Sequence, residues 1–188
     1  MKRELITIAG SLGSGKSSTA KAVAKVLGYR HFSSGDFFRE IATKRGESVE
    51  ATNLSAEVQK DIDRQVDDLL KEKGKTETKL VVDSRMAWHW MPDSFKVFLN
   101  LDFDSAAERI FQDVLKKSRV SEEAKSVEGV RASIERRFAS EQKRYLSLYG
   151  VNPTDPKNFD LVVDTKTNDL GEVTDTVLRE YKKWLKSV

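Results

Sequence analysis

GSLGSGKS at residues 10–17 lies between an apolar run, residues 5–9, and a stretch whose apolar residues have helical spacing. Glycines at positions 10, 13 and 15 allow backbone conformations that point consecutive N–H groups toward an anion. The order of strand, glycine-rich loop and helix, with a lysine followed by a serine, is typical of a loop that binds a polyphosphate. A glycine-rich turn without a ligand is the alternative, and the flanking strand and helix patterns disfavour it.

The residues of this loop have distinct predicted roles. Lys16 is expected to reach the β- and γ-phosphates of the ligand, and the hydroxyl of Ser17 is expected to ligate Mg²⁺. The N-terminus of the following helix adds a partial positive charge. We therefore expect the polyphosphate to be bound by Gly10, Ser11, Leu12, Gly13, Ser14, Gly15, Lys16, Ser17 and Ser18.

Length, charge and cysteine content restrict the class of protein. A chain of 188 residues suits one hydrophobic core, so residues 1–188 are expected to form a single domain. Its 33 basic and 30 acidic residues give a net charge of +3, which does not indicate a nucleic-acid partner. The absence of cysteine excludes disulfides and thiolate metal sites. The first apolar run is too short for a signal peptide or a membrane span, so we expect a cytoplasmic enzyme without a membrane partner.

Five short apolar segments alternate with helical patterns, which predicts an α/β fold with a parallel sheet covered on both faces. Ligands of such sheets bind outside the carboxyl ends of the strands. Gly10, Asp83 and Asp164 follow three of these segments, so we expect them to share one crevice. The predicted strands are residues 5–9, 29–32, 80–82, 96–101 and 161–163.

Helical spacing of apolar residues fills the intervals between these strands. Gly46 and Gly74 are expected to end the two helices that lie between the second and third strands. A polar joint at residues 118–126 separates two later helices and is interpreted as a hinge or the tip of a lid. The helices predicted after the loop helix are residues 35–46, 55–73, 105–117, 127–149 and 170–185.

Polar residues follow the second and third predicted strands. Asp36 and Arg39 are one helical turn apart, so Arg39 can hold a phosphate while Asp36 orients Mg²⁺-bound water. A capping aspartate with a surface arginine is the alternative. Asp83 ends the third strand, where its carboxylate can bind Mg²⁺ through water and Arg85 can enter the same crevice. A turn with a solvated arginine is the alternative there.

Arg137, Glu141 and Arg144 are spaced i, i+4, i+7 along a predicted helix, so they lie on one side of it. A solvated ladder of salt bridges has the same spacing. With two phosphate groups to clamp, we favour a lid helix that brings arginines over them. The segment Trp88-His89-Trp90-Met91 can wall a base or pack in the core, and we assign it no chemistry.

Several segments, in this order, resemble the nucleoside monophosphate kinases, and more specifically the short, archaeal-like cytidylate kinases. Together they cover most of the chain, and the last two favour a cytidylate over an adenylate kinase. The segments are GSLGSGKSS at 10–18, SSGDFFRE at 33–40, DSR at 83–85, LDFDSAAERI at 101–110, RFASEQKRYLSLYG at 137–150 and FDLVVDT at 159–165.

This resemblance implies a three-layer α/β/α P-loop kinase fold with a central five-stranded parallel sheet. It also implies a monophosphate-binding helical region at about 36–75 and a small helical lid at about 113–137. The expected activity is phosphorylation of CMP or dCMP by ATP with Mg²⁺. Small-molecule nucleotides are the expected partners, and we expect a monomer.

The resemblance also implies roles for individual residues. Those implied in catalysis are Lys16, Arg137, Arg144 and Asp36. Those implied in binding the acceptor are Ser34, Asp36, Arg39, Arg85, Arg137, Glu141 and Arg144. Arg109 matches a residue near the donor phosphates, and the Mg²⁺ site comprises Ser17 and, through water, Asp83 and Asp36.

The chain departs from the family pattern at several positions. Ser84 replaces a usual glycine, and Glu141 stands where an aspartate is common. Gln112 and Asp113 occupy a place where many relatives have a second arginine, for which Lys116 or Lys117 can substitute. These departures concern the donor side of the lid and the acceptor contacts.

Two other functions remain open from the residues. One is another small-molecule P-loop kinase, with AMP, UMP or a non-nucleotide acceptor. The other is a nucleotide-dependent regulatory ATPase without an acceptor. The arginines at positions 39, 85, 137 and 144 favour a second phosphate-bearing ligand and disfavour the regulatory protein.

Overall fold

A computed structural model of the protein describes residues 3–48, 51–52, 55, 60–116 and 126–187. Its sheet has five parallel strands in the order β2-β3-β1-β4-β5, so β1, which precedes the glycine-rich loop, is central. All five predicted strands are confirmed, and no strand end differs from its prediction by more than one residue. The strands are β1 (Leu5–Gly10), β2 (Arg30–Ser33), β3 (Leu80–Asp83), β4 (Phe95–Asn100) and β5 (Leu161–Asp164).

Helices cover both faces of this sheet, as predicted. The described helices are α1 (Lys16–Leu27), α2 (Ser34–Arg45), α3 (Lys60–Thr76), α4 (Ala87–Trp90), α5 (Phe103–Lys116), α6 (Val127–Tyr149) and α7 (Leu170–Lys186), with a 3₁₀ turn at Pro156–Asn158. None of these helices combines the length and apolar character needed to cross a membrane, as far as the described part of the chain goes.

The central strand β1 is apolar on both faces because both of its faces are packed. Ile6 and Ile8 of β1 pack on one face with residues of α1 and α7. Leu5 of β1 packs on the opposite face with Leu70 of α3 and Ala87 of α4. This arrangement confirms the three-layer α/β/α architecture expected from the alternating pattern.

Gly10 is required where β1 passes into the loop. Its φ is +153°, and a Cβ atom added there would lie 2.3 Å from the main-chain oxygen of Leu99 on β4. Any side chain at position 10 would therefore push β4 away from the end of β1. The loop can leave the sheet at this point only because residue 10 is a glycine.

The two glycines expected to end helices behave differently. Gly46 has a φ of +67° and caps α2 as predicted. The prediction for Gly74 is wrong, because α3 continues through it to Thr76. A Cβ atom on Gly74 would lie 2.9 Å from Cγ of Met91, so this glycine allows the segment around α4 to pack closely on α3.

Other boundaries follow local hydrogen bonding. α5 begins two residues before its predicted start, because the carboxylate of Asp102 accepts a hydrogen bond from the Ser105 N–H at 2.9 Å and caps the helix. The bounds of α6 are confirmed, and the Ser126 side chain caps it by accepting from Gly129 N–H at 3.1 Å. Residues 56–59 of the predicted helix 55–73 and residues 118–125 of the polar joint lie outside the described residues.

Candidate functional site

The glycine-rich loop forms a compact turn between β1 and α1. Gly13 and Gly15 have φ values of +71° and +82°, in the left-handed region that favours glycine. The Lys16 amine and the Ser14 hydroxyl both donate hydrogen bonds to the main-chain oxygen of Ser11, at 2.7 and 2.8 Å. The lysine side chain is thus folded back against the loop.

The electrostatic surroundings of Lys16 are unusual for a lysine. Burial of the amine, together with the nearby guanidinium of Arg85, lowers the pKa of Lys16 to about 7. The carboxylates of Asp83 and Glu141 act in the opposite direction. An anionic ligand at the loop would favour the charged amine, so ligand binding and the protonation of Lys16 are coupled.

Asp83 joins three elements beside the loop. Its carboxylate accepts hydrogen bonds from the hydroxyls of Ser17 on α1 and Ser33 on β2. The Ser34 hydroxyl donates to the main-chain oxygen of Asp83 at 3.4 Å. Asp83 is itself buried, so this arrangement is held by the sheet rather than by solvent-exposed side chains.

The side chains of Ser17 and Asp83 fit a magnesium ion. Mg²⁺ prefers oxygen ligands and is often bound by one or two protein groups together with water and substrate phosphates. The hydroxyl of Ser17, which directly follows Lys16, is in contact with the carboxylate of Asp83. The two side chains therefore supply such ligands next to the glycine-rich loop. No group of three or more histidine or acidic side chains able to hold a metal occurs among the described residues, so an all-protein metal cage is absent there.

A cavity next to the loop is rich in charged side chains. It lies between α2, α3, the end of β3 and α6, and Ser34 is part of its wall. Four of the five arginines singled out from the sequence line it, which are Arg39, Arg85, Arg137 and Arg144. Three carboxylates line it as well, from Asp63, Asp67 and Glu141.

Glu141 is the centre of an ion-pair network in this cavity. One of its carboxylate oxygens lies 3.0 Å from Nε of Arg137, and the other pairs with the guanidinium of Arg85. Arg144, one turn further along α6, has its Nε 3.0 Å from Oδ2 of Asp63 on α3. Glu141 and Arg144 are buried, so the alternative of a solvated salt-bridge ladder along one helix is wrong.

Arg85 connects this cavity to the loop. It also lines a second cavity, together with the loop residues Gly10, Ser11 and Leu12 and with Phe138. The Trp88 indole N–H donates to the main-chain oxygen of Arg85 at 2.9 Å and fixes the turn from which this arginine projects. Arg85 is therefore the side chain shared by the loop and the arginine-lined cavity.

Trp88, the first residue of the Trp-His-Trp segment, packs in the core. Trp88 is buried and packs edge-on against Phe159, with ring centroids 5.5 Å apart. Of the two interpretations made from the sequence, packing in the core describes Trp88.

Three residues singled out from the sequence do not line either of the two cavities. Asp36 is exposed and pairs with Arg39, whose hydrogen bond is the main reason why the pKa of this carboxyl is lowered. The Arg109 guanidinium donates to the main-chain oxygen of Thr165 at 2.5 Å and so joins α5 to the segment after β5. Asp164 ends the outer strand β5, two strands away from Gly10, and lies outside both cavities.

Two carboxylates in the cavity were not found from the sequence. Asp63 and Asp67 lie on α3 and are 6% and 5% exposed. Burial raises the pKa of both carboxyl groups, that of Asp63 to about 6. The sequence did contain a sign of them, because the two aspartates are spaced i, i+4 on the helix face that also carries Val66 and Leu70. Acidic residues are unexpected on such an apolar face.

Comparison with known proteins identifies the family. A model described as the cytidylate kinase-like family matches residues 5–167. The chain belongs to this family. Relatives include the cytidylate kinase of Thermoplasma volcanium, 37% identical over 92% of this chain and 88% of that protein. The cytidylate kinase of Haloarcula marismortui is 33% identical over 96% of this chain and 90% of that protein.

A solved structure of another kinase has a similar fold. Shikimate kinase from Bacteroides thetaiotaomicron superposes with a TM-score of 0.62 and 14% identity, over 97% of this chain and 98% of that one. At this identity the likeness concerns the fold alone. It confirms the expected P-loop kinase architecture, and the family match confirms the resemblance to cytidylate kinases that the sequence segments indicated.

Proposed function

We propose that this protein transfers the γ-phosphoryl group of ATP to a nucleoside monophosphate, with CMP or dCMP as the preferred acceptor and CDP or dCDP as the product. The observation that carries the proposal is the arginine-lined cavity beside the glycine-rich loop, which shares Arg85 with it. The loop suits the donor polyphosphate, and the neighbouring arginines suit a second phosphate group. The curated relatives named cytidylate kinase support the choice of acceptor.

The reaction needs electrostatic stabilisation more than acid–base chemistry. A monophosphate oxygen is already ionised at neutral pH, so no general base has to be supplied. Lys16 and Arg137 are the cations assigned to the charge that spreads over the transferred group. Arg144, which the resemblance also implies in catalysis, is paired with Asp63 further along α6 and would contact the acceptor. Ser17 and, through water, Asp83 would hold Mg²⁺, which neutralises charge on the donor phosphates when it is bound.

The acceptor is assigned to the opposite side of the transferred group. Ser34, Arg39, Arg85 and Glu141 would contact it, with Arg39 and Arg85 on its phosphate. Both arginines have carboxylate partners, Asp36 and Glu141, which keep the guanidinium groups in place until a phosphate replaces those contacts. Asp36 would thus act mainly through Arg39, and its part in the Mg²⁺ water shell stays a prediction.

We assign the moving parts to insertions within one domain, residues 1–188. The region at about 36–75 would bind the monophosphate, and the lid at about 113–137 would close over both substrates. Closure keeps water from the γ-phosphoryl group until the acceptor is bound. Arg109 is assigned to the donor side. We further propose that the protein acts as a monomer in the cytoplasm.

Replacement of Arg39 is expected to weaken the acceptor. Arg39→Ala should raise the acceptor KM by about tenfold or more, since a hydrogen bond to a charged group contributes roughly 1.5–3 kcal/mol. The kcat should change less, because Arg39 is assigned to the acceptor phosphate and not to the transferred group. Initial rates at saturating ATP measure both constants. An unchanged acceptor KM would contradict the assignment.

Binding of the donor nucleotide is expected to take up a proton at Lys16. Because the pKa of Lys16 is about 7 in the free protein, the amine is mostly neutral at pH 8 and becomes charged beside the phosphates. Calorimetric titration with ADP and Mg²⁺ at pH 8, in two buffers of different ionisation enthalpy, should show an uptake of roughly 0.9 proton. At pH 6 the amine is already charged, so the uptake should nearly vanish.

The control for this titration is Lys16→Arg, whose guanidinium is charged at both pH values. Its binding enthalpy should not depend on the buffer at pH 8. Equal binding enthalpies of the unmodified protein in the two buffers at pH 8 would contradict the coupling.

The test of the proposed function is a panel of acceptors. ADP release from ATP and Mg²⁺ is measured with CMP, dCMP, UMP, AMP, GMP and shikimate in turn. CMP or dCMP should stimulate release far above the rest. Stimulation by another acceptor would retain the phosphoryl transfer and change the specificity, whereas release that no acceptor stimulates would favour a regulatory ATPase.

A further inference from the structure

Asp63 is a buried carboxylate that the proposed phosphoryl transfer does not use. It is 6% exposed and faces the arginine-lined cavity from α3. Its Oδ2 lies 3.0 Å from Nε of Arg144, but the two groups are not aligned as a hydrogen bond. Among the described residues, Oδ2 of Asp63 has no hydrogen-bond partner. A buried acceptor in this condition is costly unless a ligand supplies the donor.

The neighbouring carboxylate of Asp67 differs in this respect. One of its oxygens accepts from the Trp90 indole N–H at 2.8 Å, and the other accepts from the Tyr149 hydroxyl at 2.5 Å. Asp67 therefore has a structural explanation, because it joins α3 to α4 and α6. Asp63 is the same residue type one turn earlier on the same helix, without such partners on Oδ2.

Asp63 lies in the part of the cavity that is away from the glycine-rich loop. Lys16 has Arg85 and Arg137 among its charged neighbours, which places the phosphate end at the loop. Arg144, the partner of Asp63, follows Arg137 by seven residues, or about 10 Å along the axis of α6. A monophosphate held at the loop end would extend its sugar and base in this direction.

We propose that Asp63 recognises the exocyclic amino group of the acceptor base, which in cytosine is the N4 amino group. The carboxylate accepts a hydrogen bond from that N–H, and the Arg144 guanidinium keeps it ionised and oriented. Uracil carries a carbonyl oxygen at the same ring position, so two acceptors would face each other with no proton between them. This inference rests on the proposed function, and it makes Asp63 a determinant of CMP over UMP.

The test compares two acceptors in one variant. Asp63→Asn keeps the shape of the side chain and replaces one oxygen by an amide N–H₂, which can donate to the uracil carbonyl. The ratio of kcat/KM for CMP to that for UMP should fall by at least about tenfold, with an absolute gain for UMP. A variant in which both acceptors are weakened by the same factor would overturn the proposal.

Asp67→Asn is the matched control. It has the same chemistry one helical turn away, but Asp67 bonds to Trp90 and Tyr149. We expect it to lower the melting temperature and to leave the CMP to UMP ratio within about twofold of the unmodified protein. A fall in this ratio as large as that of Asp63→Asn would overturn the assignment to Asp63.

A second variant guards against a fold defect. Asp63→Glu retains the negative charge beside Arg144 and moves the carboxylate by one methylene. The CMP to UMP ratio should fall here too, without a gain for UMP, and an unchanged ratio would overturn the proposal. Failure of the proposed function is distinct, because the unmodified protein would then phosphorylate neither CMP nor UMP.

Discussion

Lys16→Ala is expected to lower kcat by about 10³-fold or more, since loss of one preorganised donor to developing charge typically costs 10²–10³-fold and a lysine adds a full charge. The amine lies 2.7 Å from the main-chain oxygen of Ser11. From there it can turn to the phosphates without a change in the backbone. Initial rates with saturating ATP, Mg²⁺ and CMP measure the effect.

The control for this variant is Lys25→Ala, which removes an exposed lysine from the last turn of the same helix. It should leave kcat and both KM values unchanged within about twofold. A Lys16→Ala variant that folds and keeps a tenth or more of the normal kcat would contradict the role of the loop as the donor site.

Arg85→Ala is expected to have the second-largest effect, with kcat/KM for the acceptor lowered by about 10²–10³-fold. Arg85 lines both the cavity along the loop and the arginine-lined cavity, so it can contact both reacting phosphates. Its loss should therefore change kcat as well as the acceptor KM. Arg39→Ala, by contrast, should change mainly the acceptor KM.

Arg179→Ala is the control for removal of an arginine. Its guanidinium is 58% exposed on α7 and pairs with the adjacent Glu180. This variant should have unchanged kinetics and a melting temperature close to that of the unmodified protein. If Arg85→Ala altered the acceptor KM alone, with kcat preserved, its placement between donor and acceptor would be wrong.

The fold was predictable because its signals are local. The three inner strands, β3, β1 and β4, are short runs of mainly apolar and buried residues, and such runs are visible in the sequence. The loop motif fixes where β1 ends and α1 begins. Glycines whose φ is positive, such as Gly46, mark helix ends reliably. The prediction for Gly74 was wrong because this glycine allows close packing against Met91 and does not end a helix. The spacing of residues in the sequence does not show that contact.

The candidate site was predictable only in part. The four arginines of the cavity were identified from motif positions and helical spacing. Their partners were not, because the contact between Arg144 and Asp63 depends on how α3 packs against α6. The i, i+7 relation of Arg137 and Arg144 placed them on one side of the helix, but it did not indicate that Arg144 is buried in the structure. Pairing with a distant acidic residue makes that burial possible.

The most direct test of the account is to identify the products made from ATP, Mg²⁺ and CMP by the unmodified protein. Anion-exchange chromatography of the quenched reaction separates CMP, CDP, ADP and ATP. The account predicts that CDP and ADP appear in equal amounts while CMP and ATP disappear together. Formation of ADP and inorganic phosphate, with CMP undiminished, would contradict it.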